Sequence, residues 1–141
     1  GMMTWRVACD APKSFAAYAP IAGLLWRPLP ASCAGPVRMQ HTHGWSDPVV
    51  PIEGRSVASG RFTQGDLFKG FEVLRRASQC AKDDPDDYAE TGPYLIRRWT
   101  TCAKGHELEM TLHPGGHTIP KGWTTIAIDW FERAPGKAES E

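Results

Sequence analysis

The stretch VRMQHTHGWSDPVV (Val37–Val50) decides how this chain is read. Its first part, Val37–His43, has strand character and is stopped by Gly44 and by the Asp47-Pro48 turn signal. The polar side chains that follow therefore stand at a strand terminus. Outward on the N-terminal side, Tyr18–Leu25 (YAPIAGLL) is a near-continuous apolar run of strand length, interrupted by Pro20 and Gly23 and compatible with a strand buried on both faces. A proline-rich loop, Arg27–Pro36, separates the two. Met2–Asp10 carries apolar Met3, Val7 and Ala8 and stops before Pro12, so a helix is expected there, with nothing upstream offering an N-cap.

On the C-terminal side, Leu67, Phe68, Phe71 and Leu74 form one apolar stripe of an amphipathic helix within Thr63–Ala81, with Arg75 and Arg76 turning to solvent. KDDPDDYAE (Lys82–Glu90) reads as an exposed acidic loop around Pro85. Tyr94–Thr101 is β-branched and aromatic enough for a strand. In the next strand Leu108, Met110 and Leu112 alternate with Glu107, Glu109 and Thr111, and it runs into His113-Pro114-Gly115-Gly116-His117. A final helix, capped by Thr124 or Thr125, carries Ile126, Ala127, Trp130 and Phe131 and ends before Pro135. Strands alternating with helices predict an α/β layer with a mostly parallel sheet, and the short gap before Leu108 allows one antiparallel pair.

Composition narrows the function classes. The 141 residues are enough for one domain with its own core. Sixteen basic residues balance sixteen acidic ones, and no basic cluster exceeds a pair, which argues against nucleic acid or an anionic membrane as a partner. No apolar run approaches the roughly 20 residues of a membrane helix. The opening GMMTWRVACD has neither the basic nor the apolar region of a signal peptide. Cys9, Cys33, Cys80 and Cys102 occur in no C-x-x-C pattern, which disfavours zinc ribbons and thioredoxin-type motifs. The dispersed set is compatible with two disulfides in an oxidising compartment and equally with buried free thiols.

Two polar clusters fall at predicted strand ends, where the chemistry of parallel sheets collects: His41-Thr42-His43-Gly44-Trp45-Ser46-Asp47 and Gly115-Gly116-His117. One carboxylate and one histidine on such loops suit an acid–histidine couple, because the acid sets the imidazole tautomer and stabilises imidazolium. Taken singly, Asp47 reads more simply as an Asx turn before Pro48, and His117 as a loop histidine beside two turn glycines. His41 and His43, as an H-x-H pair on one strand face, offer a competing metal site that would need a further ligand from His106, His113 or Asp47. No H-E-x-x-H pattern accompanies them, and the metal reading ranks below the couple. A nucleophile is harder to find. None of the seven serines lies in G-x-S-x-G, and the nearest approach, Gly54-Arg55-Ser56-Val57-Ala58, makes Ser56 a loop serine.

HTHGWSDPVVPIEGR, Gln64-Gly65-Asp66, Cys80, Cys102 and HPGGHTIPKGW together resemble the secreted polyhydroxybutyrate depolymerase and feruloyl esterase group of α/β-hydrolases, over nearly the whole chain. The motifs H-G-x-x-D and G-G-H carry the likeness by their order and spacing. The resemblance implies an α/β fold corresponding to the C-terminal portion of an α/β-hydrolase, a mostly parallel sheet with flanking helices. It implies Asp47 as the triad acid and His117 as the general base, and it pairs Cys9 with Cys33 and Cys80 with Cys102 as disulfides of an extracellular or periplasmic protein. Trp45 and Trp123, which follow the two clusters, become candidates for lining the substrate site.

In that group a G-x-S-x-G-G-M-M elbow leads into a helix ending Ala-Cys. This chain opens Gly1-Met2-Met3 and reaches Ala8-Cys9, so the serine is expected about three residues before Gly1. Residues 1–141 are accordingly expected to be a partial domain lacking the N-terminal half and the elbow, with 136–141 a flexible tail. Such a chain holds the acid and the base of an esterase for esters or polyesters and is expected to be inactive alone, with no cofactor and no metal. The alternatives are a non-catalytic remnant that binds a polymer or partner, and a metal-binding protein using His41 and His43. Without the neighbouring strand, Tyr18–Leu25 is expected to be an exposed edge covered by a second copy of the chain or by the N-terminal complement.

Overall fold

The computed structural model describes residues 1–135, so the tail expected over 136–141 lies outside the described residues. At its centre are two strands, β1 (Met39–Gly44) and β6 (Leu108–His113), in which every residue is buried. They pair in parallel, Met39 opposite Leu108 through Gly44 opposite His113, so both strands end at the same edge of the sheet. Beyond β6 lie β5 (Tyr94–Trp99) and then β4 (Asp87–Thr91), giving the order β1-β6-β5-β4.

The β6–β5 and β5–β4 pairs are antiparallel, which overturns the mostly parallel sheet with flanking helices expected of an α/β-hydrolase portion. The sheet is mixed, with one parallel pair. The reason lies in the connections. A parallel crossover needs about a dozen residues or more, whereas β4 and β5 are joined only by Gly92 and Pro93, and the link over 100–107 is too short for a helix to cross. Strand β4 also corrects the loop expected at Lys82–Glu90. It is an edge strand whose Tyr88, Glu90 and Thr91 face water, so it lacks the apolar alternation that marks a half-buried strand.

Tyr18–Leu25 is not the regular strand its composition suggests. It runs beside β1 through two isolated parallel bridges, Tyr18 with Met39 and Ile21 with Thr42. Pro20 has no N–H to donate and only accepts from Thr42 N–H, and Ala22 at φ 48° turns the chain away. A separate two-stranded ribbon pairs β2 (Ser56–Val57) with β3 (Phe62–Thr63), so Ser56 begins a short strand.

Helix α1 (Met2–Asp10) buries Trp5, Ala8 and Cys9, one face at i, i+3 and i+4. Helix α2 (Leu67–Ala77) starts at Asp66, whose carboxylate accepts from Lys69 N–H at 2.9 Å, and buries Leu67, Phe71, Val73 and Leu74. Both helices cover the sheet face that carries Met39, His41 and Met110, where Trp5 meets Phe71 edge-on and Phe71 stacks on Trp99. Disulfides Cys9–Cys33 and Cys80–Cys102 anchor the ends of these helices, the pairing that the resemblance implied. Two disulfides fit an oxidising environment. Among the described residues no helix is long and apolar enough to cross a membrane.

The opposite sheet face is covered by α3 (Trp123–Glu132), entered through Gly122 at φ 84°, a left-handed conformation that glycine adopts without strain. Thr124 and Thr125 lie inside the helix and do not cap it, correcting the expected start. Its C-terminal end is held by Arg38, which donates to the carbonyls of Trp130 and Arg133 at 2.7 Å each and lies over the Trp130 ring. The alternation read in β6 is thus not core against solvent. Leu108, Met110 and Leu112 face the apolar core, while Glu107 and Glu109 are buried against Arg38, Arg98 and Arg133 at 2.7–3.5 Å.

Candidate functional site

Because β1 and β6 end in register, the loops that leave them emerge side by side. Trp45 N–H donates to the His113 carbonyl at 2.9 Å and Ser46 N–H to that of Gly115 at 3.3 Å. The approach requires glycine at position 44, where a Cβ would stand 2.2 Å from the Gly115 oxygen and 2.5 Å from that of Gly116. Gly44→Ala is therefore expected to push the loops apart and to cost about 1–3 kcal/mol, the usual penalty of overpacking, read from urea denaturation. A wild-type midpoint would contradict the close approach.

Asp47 is buried, and its two oxygens have different partners. Oδ1 accepts from Val49 N–H and Val50 N–H, each at 2.8 Å, and Oδ2 lies 2.9 Å from His117 Nδ1. The turn and the acid–histidine couple compete as readings of the sequence, yet one carboxylate makes both. Burial alone would raise the Asp47 carboxyl, but the Val50 N–H, His117 and the Val49 N–H together hold it below the usual carboxylate range. An ionised carboxylate only accepts, so a His117 proton sits on Nδ1, and in the neutral imidazole Nε2 is the nitrogen that carries the lone pair. The His117 side chain is 41% exposed, which leaves that lone pair open to a reactant.

Beside His117 lies an apolar groove of about 650 Å³ whose walls include Gly1, Met2, Met3, Leu24, Trp26 and Val49. Gln64 also borders it and donates to the Val49 carbonyl at 3.1 Å. Trp26 carries no motif, and Met2 and Met3 enter the sequence reading only through the expected elbow and the helix that follows it; only folding brings the three beside His117. Trp45 is exposed in the loop after β1 and Trp123 opens α3; neither borders this groove. Among the described residues, no hydroxyl or thiol hydrogen-bonds His117, and Ser56 pairs with Thr63 at 3.3 Å.

His41 and His43 do project to one face of β1, as the H-x-H spacing predicts, but their nitrogens are committed within the protein. His41 Nδ1 faces Trp5 Nε1 at 3.1 Å, the two rings meet at 3.0 Å, and His43 Nε2 faces the Val50 carbonyl at 2.8 Å. Burial, with the mutual proximity of the rings, pushes His41 well below the ordinary histidine value. Burial also lowers His43, against the opposing pull of the Val50 carbonyl and Asp47. Of the further ligands considered, His106 precedes β6, at the end of the strand remote from His43, and His113 Nδ1 already accepts from Gly115 N–H at 3.1 Å. The metal alternative is corrected accordingly, since these rings offer no free lone pair to a cation.

No family model matches this chain. It is similar to a protein of Nocardia uniformis subsp. tsuyamanensis named "Putative esterase NocK", with 29% identity over 140 aligned residues. The alignment takes in 86% of this chain, and the chain spans about 40% of that relative's length. The relationship is esterase-like, and the similarity supports no finer class.

Proposed function

We propose that this chain carries the acid and the general base of a serine esterase of the polyester depolymerase or feruloyl esterase kind. The nucleophilic serine comes from a segment preceding Gly1. The observation that carries the reading is the Asp47 Oδ2–His117 Nδ1 bond at the rim of an apolar groove that reaches Gly1. In the reaction, His117 Nε2 takes the serine proton as its oxygen attacks the ester carbonyl, and Asp47 stabilises the imidazolium. The imidazolium then protonates the departing alkoxide, leaving an acyl-enzyme that water hydrolyses by the same proton route. The groove suits the apolar acyl or aryl part of the ester, with Trp45 and Trp123 left to contact a longer substrate. Alone, residues 1–141 hold the couple without its nucleophile and are inactive. The preceding segment completes the domain and covers the Tyr18–Leu25 flank, and the two disulfides support secretion.

An alkyl fluorophosphonate, which reacts with activated serines, tests this. The chain extended upstream in its reading frame is expected to be labelled on one serine and to hydrolyse p-nitrophenyl butyrate, while residues 1–141 do neither. An extended chain that takes no label and turns over no ester would leave a non-catalytic binding protein as the better account.

A further inference from the structure

We infer that His43 is a positioning residue for the Asp47–His117 couple, with Trp5 and His41 setting its direction. The inference rests on reading Asp47 and His117 as acid and base. Trp5, His41 and His43 form one hydrogen-bonded line through the core, from α1 to the turn that holds the acid, with links of 3.1, 3.0 and 2.8 Å.

The two ends of the line decide its polarity. An indole N–H only donates and a peptide carbonyl only accepts. His41 Nδ1 is therefore bare and its proton lies on Nε2. His43 Nδ1 accepts that proton's hydrogen bond, so the His43 proton also lies on Nε2 and faces Val50. Any other arrangement of neutral tautomers sets two N–H groups or two lone pairs against each other at one of the links. Burial keeps both rings neutral, which the line requires.

What the line holds is Val50, the residue whose N–H holds Asp47. The Val50 N–H donates to Asp47 Oδ1 while its carbonyl accepts from His43. The Val49 N–H donates to the same Oδ1, and its carbonyl accepts from Gln64 at 3.1 Å and from Arg55 at 3.0 Å. The 49–50 peptide is thus held at both its carbonyl and its N–H, and His43 holds the carbonyl on the other side of the Val50 Cα. The plane of that peptide is set, Oδ1 is occupied, and Oδ2 is the oxygen left for His117. His43 Nε2 stands 3.9 Å from Asp47 Oδ2, beyond hydrogen-bond reach, so it acts through the turn rather than on the carboxylate. A histidine that merely filled the core would place no demand on its tautomer.

Imidazole ¹⁵N spectra of the 141-residue chain at neutral pH are expected to show the Nε2–H tautomer at both His41 and His43. In H43L the Val49 and Val50 amides are expected to exchange with solvent about tenfold faster, the weight of one hydrogen bond, while amides of β1, β6 and α2 keep their rates. H43Q, whose amide nitrogen can reach the Val50 carbonyl, restores slow exchange. W5F is the second route should H43L fail to fold. It removes the donor opposite His41 Nδ1; the Val50 carbonyl still fixes the Nε2–H tautomer at both rings, so the tautomers persist while the slackened line lets the same two amides accelerate. An Nδ1–H tautomer at either histidine in the wild type overturns the proposal. So do unchanged Val49 and Val50 rates in the variants, or an equal acceleration of all amides. Ester turnover enters none of these readouts. Expected spectra in an extended chain without esterase activity would remove the catalytic reading alone, and contrary spectra in an active one would remove only the positioning role.

Discussion

His117→Ala, made in the upstream-extended chain, is expected to lower kcat for a soluble ester about 10⁶-fold, and Asp47→Asn about 10⁴-fold, the losses found where a triad histidine or acid is removed. The Asp47 prediction follows from the turn. Val49 N–H and Val50 N–H both require an oxygen at the Oδ1 position. In Asp47→Asn the amide oxygen stays there and the NH₂ group is forced toward His117 Nδ1. That nitrogen must then accept, its proton moves to Nε2, and the lone pair that should take the serine proton is gone. The substitution preserves shape and reverses the tautomer, so stability should change little while turnover collapses. The double variant should be no slower than His117→Ala, because the two residues act as one unit. Steady-state kinetics on p-nitrophenyl butyrate, with fluorophosphonate labelling of each variant, measure this. A His117→Ala enzyme within tenfold of wild type would dismiss the histidine as the base.

The second large effect is acid instability that begins well above the carboxylate range. In the unfolded chain His41 and His43 take up protons near the ordinary value of 6.5, whereas in the folded chain both are held lower. A histidine whose folded value is depressed lets the unfolded state bind more protons once the pH drops below 6.5. Its stabilisation is complete above that pH and is lost as the pH falls toward the folded value. The slope is about 1.4 kcal/mol for each pH unit and each histidine still neutral in the fold. The carboxyls of Asp47 and Asp86, also held low in the fold, contribute in a lower window. Their stabilisation is present above 3.8 and goes only as the pH falls through their folded values. Urea denaturation between pH 7 and pH 5 is expected to show the midpoint falling steadily, and a flat profile would mean that the buried imidazoles do not stay neutral.

How far the chain was legible depended on where each residue faces. Helices α1 and α2 bury a stripe against the core, so period 3.6 shows in Leu67, Phe71 and Leu74. Strands β1, β5 and β6 are apolar enough to be read as strands. Edge strand β4 was not, because Asp87, Tyr88 and Glu90 answer to solvent and to Arg98 rather than to the core. Strand direction is hidden in the sequence for a different reason. Alternating strands and helices suggest crossovers, but the chain between β4 and β6 reverses through connections too short to carry one.

By itself, the sequence determined which residue types could do chemistry: one acid after a strand, one histidine after two glycines, and four dispersed cysteines. The carboxylate and imidazole are local properties of Asp47 and His117, and no fold is needed to see them. Only the tertiary structure decided what those groups do. The in-register ends of β1 and β6 and the missing side chain at Gly44 bring two loops together that lie 70 residues apart in sequence, between Asp47 and His117. The same packing gives Asp47 separate partners for its two oxygens and turns His41 and His43 from a metal-like pair into a buried, directed line. Hydrogen-bond direction depends on what stands opposite each atom, and that is a property of three-dimensional neighbours.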